Sequence, residues 1–165
     1  MKIAIFSDSH DHVWNLRRAV EQVKQEEVKT IIHCGDLVSP FLMEEFDRFQ
    51  GQLHLIYGNN MGDAELLNMR IQERKDWVTF HGWIGELKFG EKNICFIHDP
   101  RLARKVARSG DYDLVCFGHT HLWHLEKMDS CLLLNPGAIL GNKEPASWAL
   151  VDMETLEVRH VLLDS

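Results

Sequence analysis

The stretch "KIAIFSDSHD", residues 2–11, decides the fold, because an apolar segment ends there and polar side chains follow at once. Residues 3–6 predict a short buried strand. Asp8 and His10 come directly after it, where the backbone leaves the strand. Apolar residues then recur at helical spacing over residues 13–27, with charged residues between them, which predicts an amphipathic helix. The repeating unit is therefore a strand, a polar loop and a helix.

The same unit occurs twice more in the first half of the chain. "TIIHCGD" (30–36) and "QLHLIYGNN" (52–60) are apolar strands that end in Gly-Asp and in Gly-Asn, respectively. Helices are predicted after them over residues 40–49, with Ser39 as N-cap and Pro40 at the first position, and over residues 63–75. Alternating strands and helices imply parallel pairing through crossover connections, in a sheet that is buried on both faces.

The second half of the chain is predicted to be mostly β. Strands are expected at residues 77–80, 83–88, 93–98, 112–119, 122–127, 131–134, 147–152 and 156–162, and one helix over residues 100–108. We find no internal repeat, low-complexity tract or linker that would divide the chain. Residues 1–165 are therefore predicted to form a single domain of the α/β class.

Composition limits the classes of function. The chain has 165 residues, of which 45% are hydrophobic, enough for a sizeable core. It contains no apolar run near the roughly 18 residues of a membrane span, and no secretion signal is expected at its start. Four cysteines lie among apolar neighbours without C-x-x-C spacing, which predicts small buried residues in a cytoplasmic protein. A net charge of −7 argues against nucleic-acid or anionic-membrane binding through bulk electrostatics.

Seven polar side chains share one location, because each follows an apolar strand. They are Asp8, His10, Asp36, Asn59, His98, His119 and His121. Ligands bind at the carboxyl ends of the strands in parallel α/β sheets. A strand-end Asp or Asn is usually a turn or cap residue, but turn propensity does not account for four histidines in such places. We therefore interpret the seven as one site.

The chemistry of these donors points to metal ions. Oxygen and nitrogen donors without cysteine suit manganese, iron or zinc better than a thiolate zinc finger. Seven donors are more than one ion needs. Two ions that share a bridging carboxylate would account for all of them. Two metals about 3.5–4 Å apart clamp the attacking and leaving oxygens of a phosphoryl displacement.

The motifs D-x-H, G-D, G-N, a lone His and G-H-x-H occur in this order over residues 8–121, and "NPGA" follows at 135–138. As a set they resemble the calcineurin-like metallophosphoesterases, in particular their small single-domain prokaryotic phosphodiesterase branch. The resemblance implies the metallo-dependent phosphatase fold, a four-layer α/β/β/α sandwich of two mixed β-sheets flanked by helices.

The resemblance also implies a ligand set and a reaction. One metal would take Asp8, His10, Asp36 and His121, and the other Asp36, Asn59, His98 and His119, so that Asp36 bridges. Asp36, Asn59 and His98 would act in catalysis through a metal-held water, and a metal-bridging hydroxide would attack the phosphorus. The two divalent ions are expected to be manganese, with iron, nickel, zinc or cobalt as alternatives.

The chain departs from the family pattern at two places. Many members have a histidine directly after G-N, which contacts phosphate and assists the leaving group, whereas this chain has Asn60. The lone histidine is followed by Asp99 and Pro100 in place of the usual Gly-His. A general acid is often worth roughly 10²- to 10⁴-fold in rate. Without one, we expect a preference for substrates with good leaving groups, or a proton supplied by water.

Several alternatives remain open from the sequence. The superfamily includes a small retromer subunit, so a non-catalytic protein-interaction scaffold is the rival function. A third interpretation is an enzyme whose substrate is a cyclic nucleotide or another small phosphodiester that serves in regulation. His12 would either approach substrate or begin a helix, and Trp14 and Trp123 would line a pocket or pack. Expected partners are a small phosphodiester or nucleotide-like substrate and a second copy of the chain, but no membrane. Arg101, Arg104, Lys105 and Arg108 form either a phosphate-steering face or a solvated one.

Overall fold

The structure is a computed structural model that describes residues 1–163. Its strands are β1 (Lys2–Phe6), β2 (Thr30–His33), β3 (Gln52–Leu55), β4 (Val78–Phe80), β5 (Ile84–Phe89), β6 (Lys92–Ile97), β7 (Leu114–Cys116), β8 (Trp123–Met128), β9 (Cys131–Pro136), β10 (Ser147–Asp152) and β11 (Val158–Leu162). The helices are α1 (Val13–Gln25), α2 (Met43–Phe46), α3 (Ala64–Gln72) and α4 (Pro100–Ala107), with a 3-10 turn at Pro40–Leu42 before α2.

The strands form two mixed sheets. The first has the order β11-β10-β1-β2-β3-β4, in which β1 to β4 are parallel and β10 is antiparallel to both of its neighbours. The second has the order β5-β6-β7-β9-β8, with β6, β7 and β9 parallel and antiparallel strands at its edges. The predicted parallel pairing of the first three strands is confirmed, and it brings the ends of β1, β2 and β3 to one edge.

Alternating side chains along the strands create three apolar layers. Ile3 and Ile5 of β1 pack between the two sheets, whereas Ala4 and Phe6 pack on the other face against α1, α2 and α3. In the second sheet, Phe96 faces the first sheet and Cys95 lies in the outer cluster with α4. Since successive side chains of a strand point to opposite faces, each central strand contributes side chains to two apolar layers. The result is the predicted four-layer arrangement.

The helix predicted over residues 40–49 is wrong in extent. The chain forms a 3-10 turn and then only the four residues of α2. Ser39 has extended dihedral angles and its side chain caps no backbone N–H; its carbonyl instead accepts a hydrogen bond from the Leu42 N–H at 3.1 Å. A turn that starts with an i→i+3 bond is tighter than an α-helix and is short. Phe46 and Phe49 of this segment are both buried.

Helix α1 is shorter than predicted, because it ends at Gln25 and not at residue 27. Glu27 adopts a left-handed φ of 55° just beyond the C-cap, and the Val28 N–H reaches back to the Val23 carbonyl. A left-handed residue of this kind ends many helices.

A pair of histidines lies in the first sheet away from the clustered strand-end residues. Nδ1 of His54 on β3 and Nε2 of His81 after β4 are 3.0 Å apart. Burial lowers the pKa of His54 to about 4, with a further contribution from His81, and burial also lowers the pKa of His81. Since protonation of either ring is disfavoured in the folded state, the unfolded chain binds more protons below about pH 6.5.

We therefore expect His54→Gln to flatten the pH dependence of stability. This pair's contribution is fully present above the unfolded pKa and declines as the pH falls towards 4. The free energy of unfolding, measured by urea titration at pH 7.5 and pH 5, should fall less in the variant than in the parent protein. Equal declines in the two proteins would contradict this assignment.

Candidate metal centre

The loops after β1 and β2 run side by side at the edge of the first sheet. The Asp8 N–H donates to the Gly35 carbonyl at 3.1 Å, and the His10 N–H donates to the Asp36 carbonyl at 2.9 Å. These backbone bonds continue the pairing of the two strands beyond their regular ends. Asp8, His10 and Asp36 are thereby brought together.

The backbone at the predicted ligands is unusual. Five of the seven have φ in the left-handed region: Asp8 (51°), His10 (45°), Asp36 (55°), His119 (70°) and His121 (61°). Such a conformation costs about 1–2 kcal/mol per non-glycine residue. Strain of this kind clusters at functional sites, where the surrounding structure imposes it. Here it turns the side chains of successive loop residues into the same space.

A first cluster contains Asp8, His10 and His121. Nε2 of His121 lies 3.2 Å from Oδ1 of Asp8 and 3.2 Å from Nε2 of His10. Asp8 is fully buried, and both histidines are partly buried. Two ligand atoms on one transition-metal ion, each about 2.1 Å from it, lie about 3.0–3.5 Å apart. The spacing of these three groups fits one shared cation.

A second cluster contains Asp36, Asn59, His98 and His119. Nε2 of His98 lies 2.9 Å from Oδ1 of Asn59 and 3.5 Å from Oδ1 of Asp36. Nδ1 of His119 lies 2.7 Å from the same Asn59 oxygen. The side chains come from loops of both sheets, since Asp36 and Asn59 follow strands of the first sheet and the histidines follow strands of the second.

Asp36 lies between the two clusters. Its Oδ2 is 3.7 Å from Nε2 of His10, and its Oδ1 is 3.5 Å from Nε2 of His98. Asp8 also approaches the second cluster, with Oδ1 3.9 Å from Nε2 of His98. The structure thus brings all seven predicted ligands to one edge, with a carboxylate in the middle.

Hydrogen bonds on the far side of two imidazole rings fix which nitrogen faces the site. Nδ1 of His98 donates to the Cys34 carbonyl at 2.8 Å, and Nδ1 of His121 donates to Oδ1 of Asn142 at 2.8 Å. With the proton on Nδ1, each neutral ring presents an Nε2 lone pair to carboxylate and amide oxygens. That arrangement is repulsive unless a proton or a metal cation lies between them, so the donor set fits a metal.

The electrostatics show the same demand for positive charge. Burial raises the pKa of Asp36, but hydrogen bonds from His98 and Asn60 outweigh it and bring the pKa to about 2. Burial lowers the pKa of His98, but Asp36 and Asp8 raise it more, and the bond to Asp8 raises the pKa of His121. Among residues 1–163, the ion-pair partners of these two carboxylates are histidines. The two buried carboxylates are thus paired with imidazole rings in the described part of the chain.

Glycines allow the loops to approach closely. A Cβ on Gly58 would lie 2.0 Å from Oδ1 of Asp36. A Cβ on Gly118 would lie 2.1 Å from the Ser7 hydroxyl oxygen and 2.7 Å from Oδ2 of Asp8. The G-N and G-H-x-H motifs thus need glycine for space.

Asn60 contacts Asp36 through both its backbone and its side chain. The Asn60 N–H donates to Oδ1 at 2.8 Å, and Nδ2 donates to Oδ2 at 2.7 Å. The residue that replaces the histidine of the family pattern therefore holds the central carboxylate in place.

Sequence reasoning missed the segment 142–144. Asn142 bonds to His121, Nζ of Lys143 donates to the Thr120 carbonyl at 2.9 Å, and Oε2 of Glu144 accepts from the Trp123 N–H at 2.7 Å. Three successive residues thus hold the loop that carries His119 and His121. The sequence "GNKEP" has the composition of an ordinary turn, so it contains no signal of this role.

Other predicted candidates lie outside the cluster. Arg104 forms two hydrogen bonds with Glu126, at 3.1 and 2.7 Å, so its charge is paired there. Arg101 projects into solvent beside Asp99, and Lys105 and Arg108 are exposed. His12 begins α1, with Nδ1 accepting the Asn15 N–H at 3.2 Å, which confirms the helix-entry reading. The four cysteines are buried and free, as predicted.

In the described part of the chain, no helix is long and apolar enough to cross a membrane.

Three comparisons place the chain among known proteins. Residues 1–156 match the profile of the calcineurin-like phosphoesterase superfamily domain. The phosphodiesterase MJ0936 of Methanocaldococcus jannaschii is 35% identical over 169 residues, which cover 99% of this chain and 100% of that protein.

Solved structures show the same relationship. A structure described as a novel archaeal phosphodiesterase superposes with a TM-score of 0.92 at 32% identity, covering 99% of this chain and 100% of that one. Vps29 of Chaetomium thermophilum shares the fold, with a TM-score of 0.69 at 15% identity over 98% of this chain and 95% of its own. The match of residues 1–156 to the family profile and the 35% identity to MJ0936 over its whole length show that the chain belongs to the calcineurin-like phosphoesterase superfamily.

Proposed function

We propose that the protein is a dinuclear metal-dependent phosphodiesterase. Asp8, His10, Asp36 and His121 would hold one divalent ion, and Asp36, Asn59, His98 and His119 the other. When bound, the two ions would lower the pKa of a water molecule and supply the metal-bridging hydroxide that attacks the phosphorus. Manganese is the ion we expect, with iron, nickel, zinc and cobalt as alternatives. The observation that carries the proposal is the orientation of the His98 and His121 Nε2 atoms towards the buried carboxyl groups of Asp36 and Asp8.

Asp36 and Asn60 have different roles in binding the two ions. Asp36 lies where both clusters can share it, and Asn60 fixes both of its oxygens. With two divalent cations against two buried carboxylates, the loaded centre is net positive inside an acidic protein, so it attracts the phosphate of a substrate. Without the ions, the same cluster repels anions.

The activity of the archaeal relative supports a small phosphodiester as the substrate class. The rival function is a non-catalytic scaffold, such as the family resemblance to a retromer subunit would imply. A scaffold has no need of complete metal ligands, whereas here all seven donors are retained and converge. This completeness favours hydrolysis. We further propose a single domain over residues 1–165 and a cytoplasmic location, where free buried cysteines remain reduced.

We expect Asp36→Asn to bind less manganese and to lose hydrolysis of bis(4-nitrophenyl) phosphate. Removing the shared charge should lower turnover by more than about a hundredfold, since even outer-sphere partners of a metal are often worth 10- to 100-fold. Bound metal would be measured by elemental analysis and turnover by nitrophenolate release.

Asp129→Asn is the matched control for this substitution. Asp129 has the same left-handed backbone (φ 53°, against 55° at Asp36) but lies on the exposed turn between β8 and β9. It should retain metal and activity. Near-normal turnover by the Asp36 variant would reject the dinuclear assignment.

Asn142 provides a test of ligand orientation. Asn142→Ala removes the acceptor for the Nδ1 proton of His121, so we expect manganese affinity to fall about 10- to 100-fold. Asn142→Asp keeps an acceptor and should retain most of the affinity. Calorimetric titration of the metal-free protein measures both, and equal losses in the two variants would indicate a purely structural role.

The lack of an acid at position 60 predicts a steep dependence on the leaving group. An amide donates no proton as an acid at neutral pH, so kcat/KM for a series of aryl methyl phosphates should fall as the phenol pKa rises. Asn60→His should raise activity on the poorest leaving groups, towards the roughly 10²- to 10⁴-fold value of a general acid. No change, with both metals still bound, would show that the missing acid does not limit the reaction.

A further inference from the structure

Several exposed apolar side chains follow the strand ends at the metal edge, which is the edge of the sheets where the seven predicted ligands converge. Trp14, Phe41, Met61, Trp83, Leu102 and Leu122 are all exposed, and each follows the carboxyl end of a strand within a few residues or within the first turns of the next helix. Single exposed apolar residues are common, but several around one edge need an explanation. None of these apolar residues is a predicted metal ligand.

Two of these residues occupy equivalent positions. Trp14 is the second residue of α1, which begins directly after the loop of Asp8 and His10. Phe41 is the second residue of the 3-10 turn, which follows the loop of Asp36. Because β1 and β2 are neighbours in the sheet, the two elements start side by side at the metal edge. Each loop that supplies a central carboxylate is thus followed by an exposed aromatic ring.

Arginines support both rings. The Arg17 guanidinium lies 5.1 Å from the centre of the Trp14 ring, and two hydrogen bonds of 2.8 Å to Glu45 hold that arginine in place. The Arg70 guanidinium lies 6.0 Å from the Phe41 ring. Even so, Trp14 is 66% exposed and Phe41 is 59% exposed. Each ring is therefore braced by a cation while most of its surface remains open to solvent.

The position of the rings indicates what would cover them. A phosphodiester carries two organic groups, and once its phosphate is at the metal centre those groups extend over the surrounding edge. Aromatic rings with few rotatable bonds bind flat groups at low cost in conformational entropy. We infer that Trp14 and Phe41 form a subsite for an aromatic group of the substrate, an aryl ring or a nucleobase. This inference rests on the proposed phosphodiesterase function.

Two inhibitors of the manganese-loaded full chain distinguish this subsite from the metal centre. Diphenyl phosphate offers aromatic groups and dimethyl phosphate offers none, while both present the same anionic diester. Stacking on an aromatic side chain is worth about 1–3 kcal/mol per ring, or at least about fivefold in affinity. Trp14→Ala and Phe41→Ala should each raise the ratio of the inhibition constants, diphenyl over dimethyl, by at least about that factor.

Met69→Ala is the control, because Met69 is a similarly exposed apolar residue further along α3. It should leave the ratio unchanged. An unchanged ratio in both aromatic variants, with the parent protein active on bis(4-nitrophenyl) phosphate, would overturn the subsite alone. Loss of a dimer in light scattering, without a change in the ratio, would overturn it in favour of an interface between copies. An inactive parent protein with manganese bound would instead reject the proposed function.

Discussion

The metal edge depends on the direction in which two imidazole rings point. His98 and His121 each donate an Nδ1 proton to a fixed oxygen, the Cys34 carbonyl and the Asn142 side chain. Their Nε2 atoms therefore face Asp36 and Asp8, which are 2% and 0% exposed. Lone pairs and carboxylates in contact require a positive charge between them. A proton on each ring meets part of that demand, and a divalent cation meets it for several groups at once.

The two-sheet architecture is what brings these atoms together. The first sheet supplies both carboxylates, His10 and Asn59, and the second supplies the other three histidines. The bond from His98 to the Cys34 carbonyl crosses between the sheets, in line with the apolar layer that packs them face to face. A slip of one residue in a strand would turn its apolar side chains to the wrong layer, so the core fixes the register and thereby the position of each loop.

Much of this arrangement could be predicted from the sequence, because strands, helix starts and strand ends are local patterns. Apolar runs located most strands to within a few residues, and polar residues after them located the seven side chains that converge at the sheet edge. The errors have a common cause. At α2, a 3-10 turn and four helical residues bury Phe46, and the pairing of Arg104 with Glu126 joins residues far apart in the chain. The contacts of Asn60 with Asp36 and of Asn142 with His121 are likewise long-range. The spacing of apolar residues along the sequence does not indicate long-range contacts of this kind.

The backbone at the predicted ligands is strained, and the rest of the fold has to offset the cost of that strain. Left-handed backbone at five ligands costs on the order of 1–2 kcal/mol each. Backbone bonds between the loops and three apolar layers around the sheets contribute to offsetting this cost. The same contacts hold the predicted ligand atoms at spacings that suit shared cations.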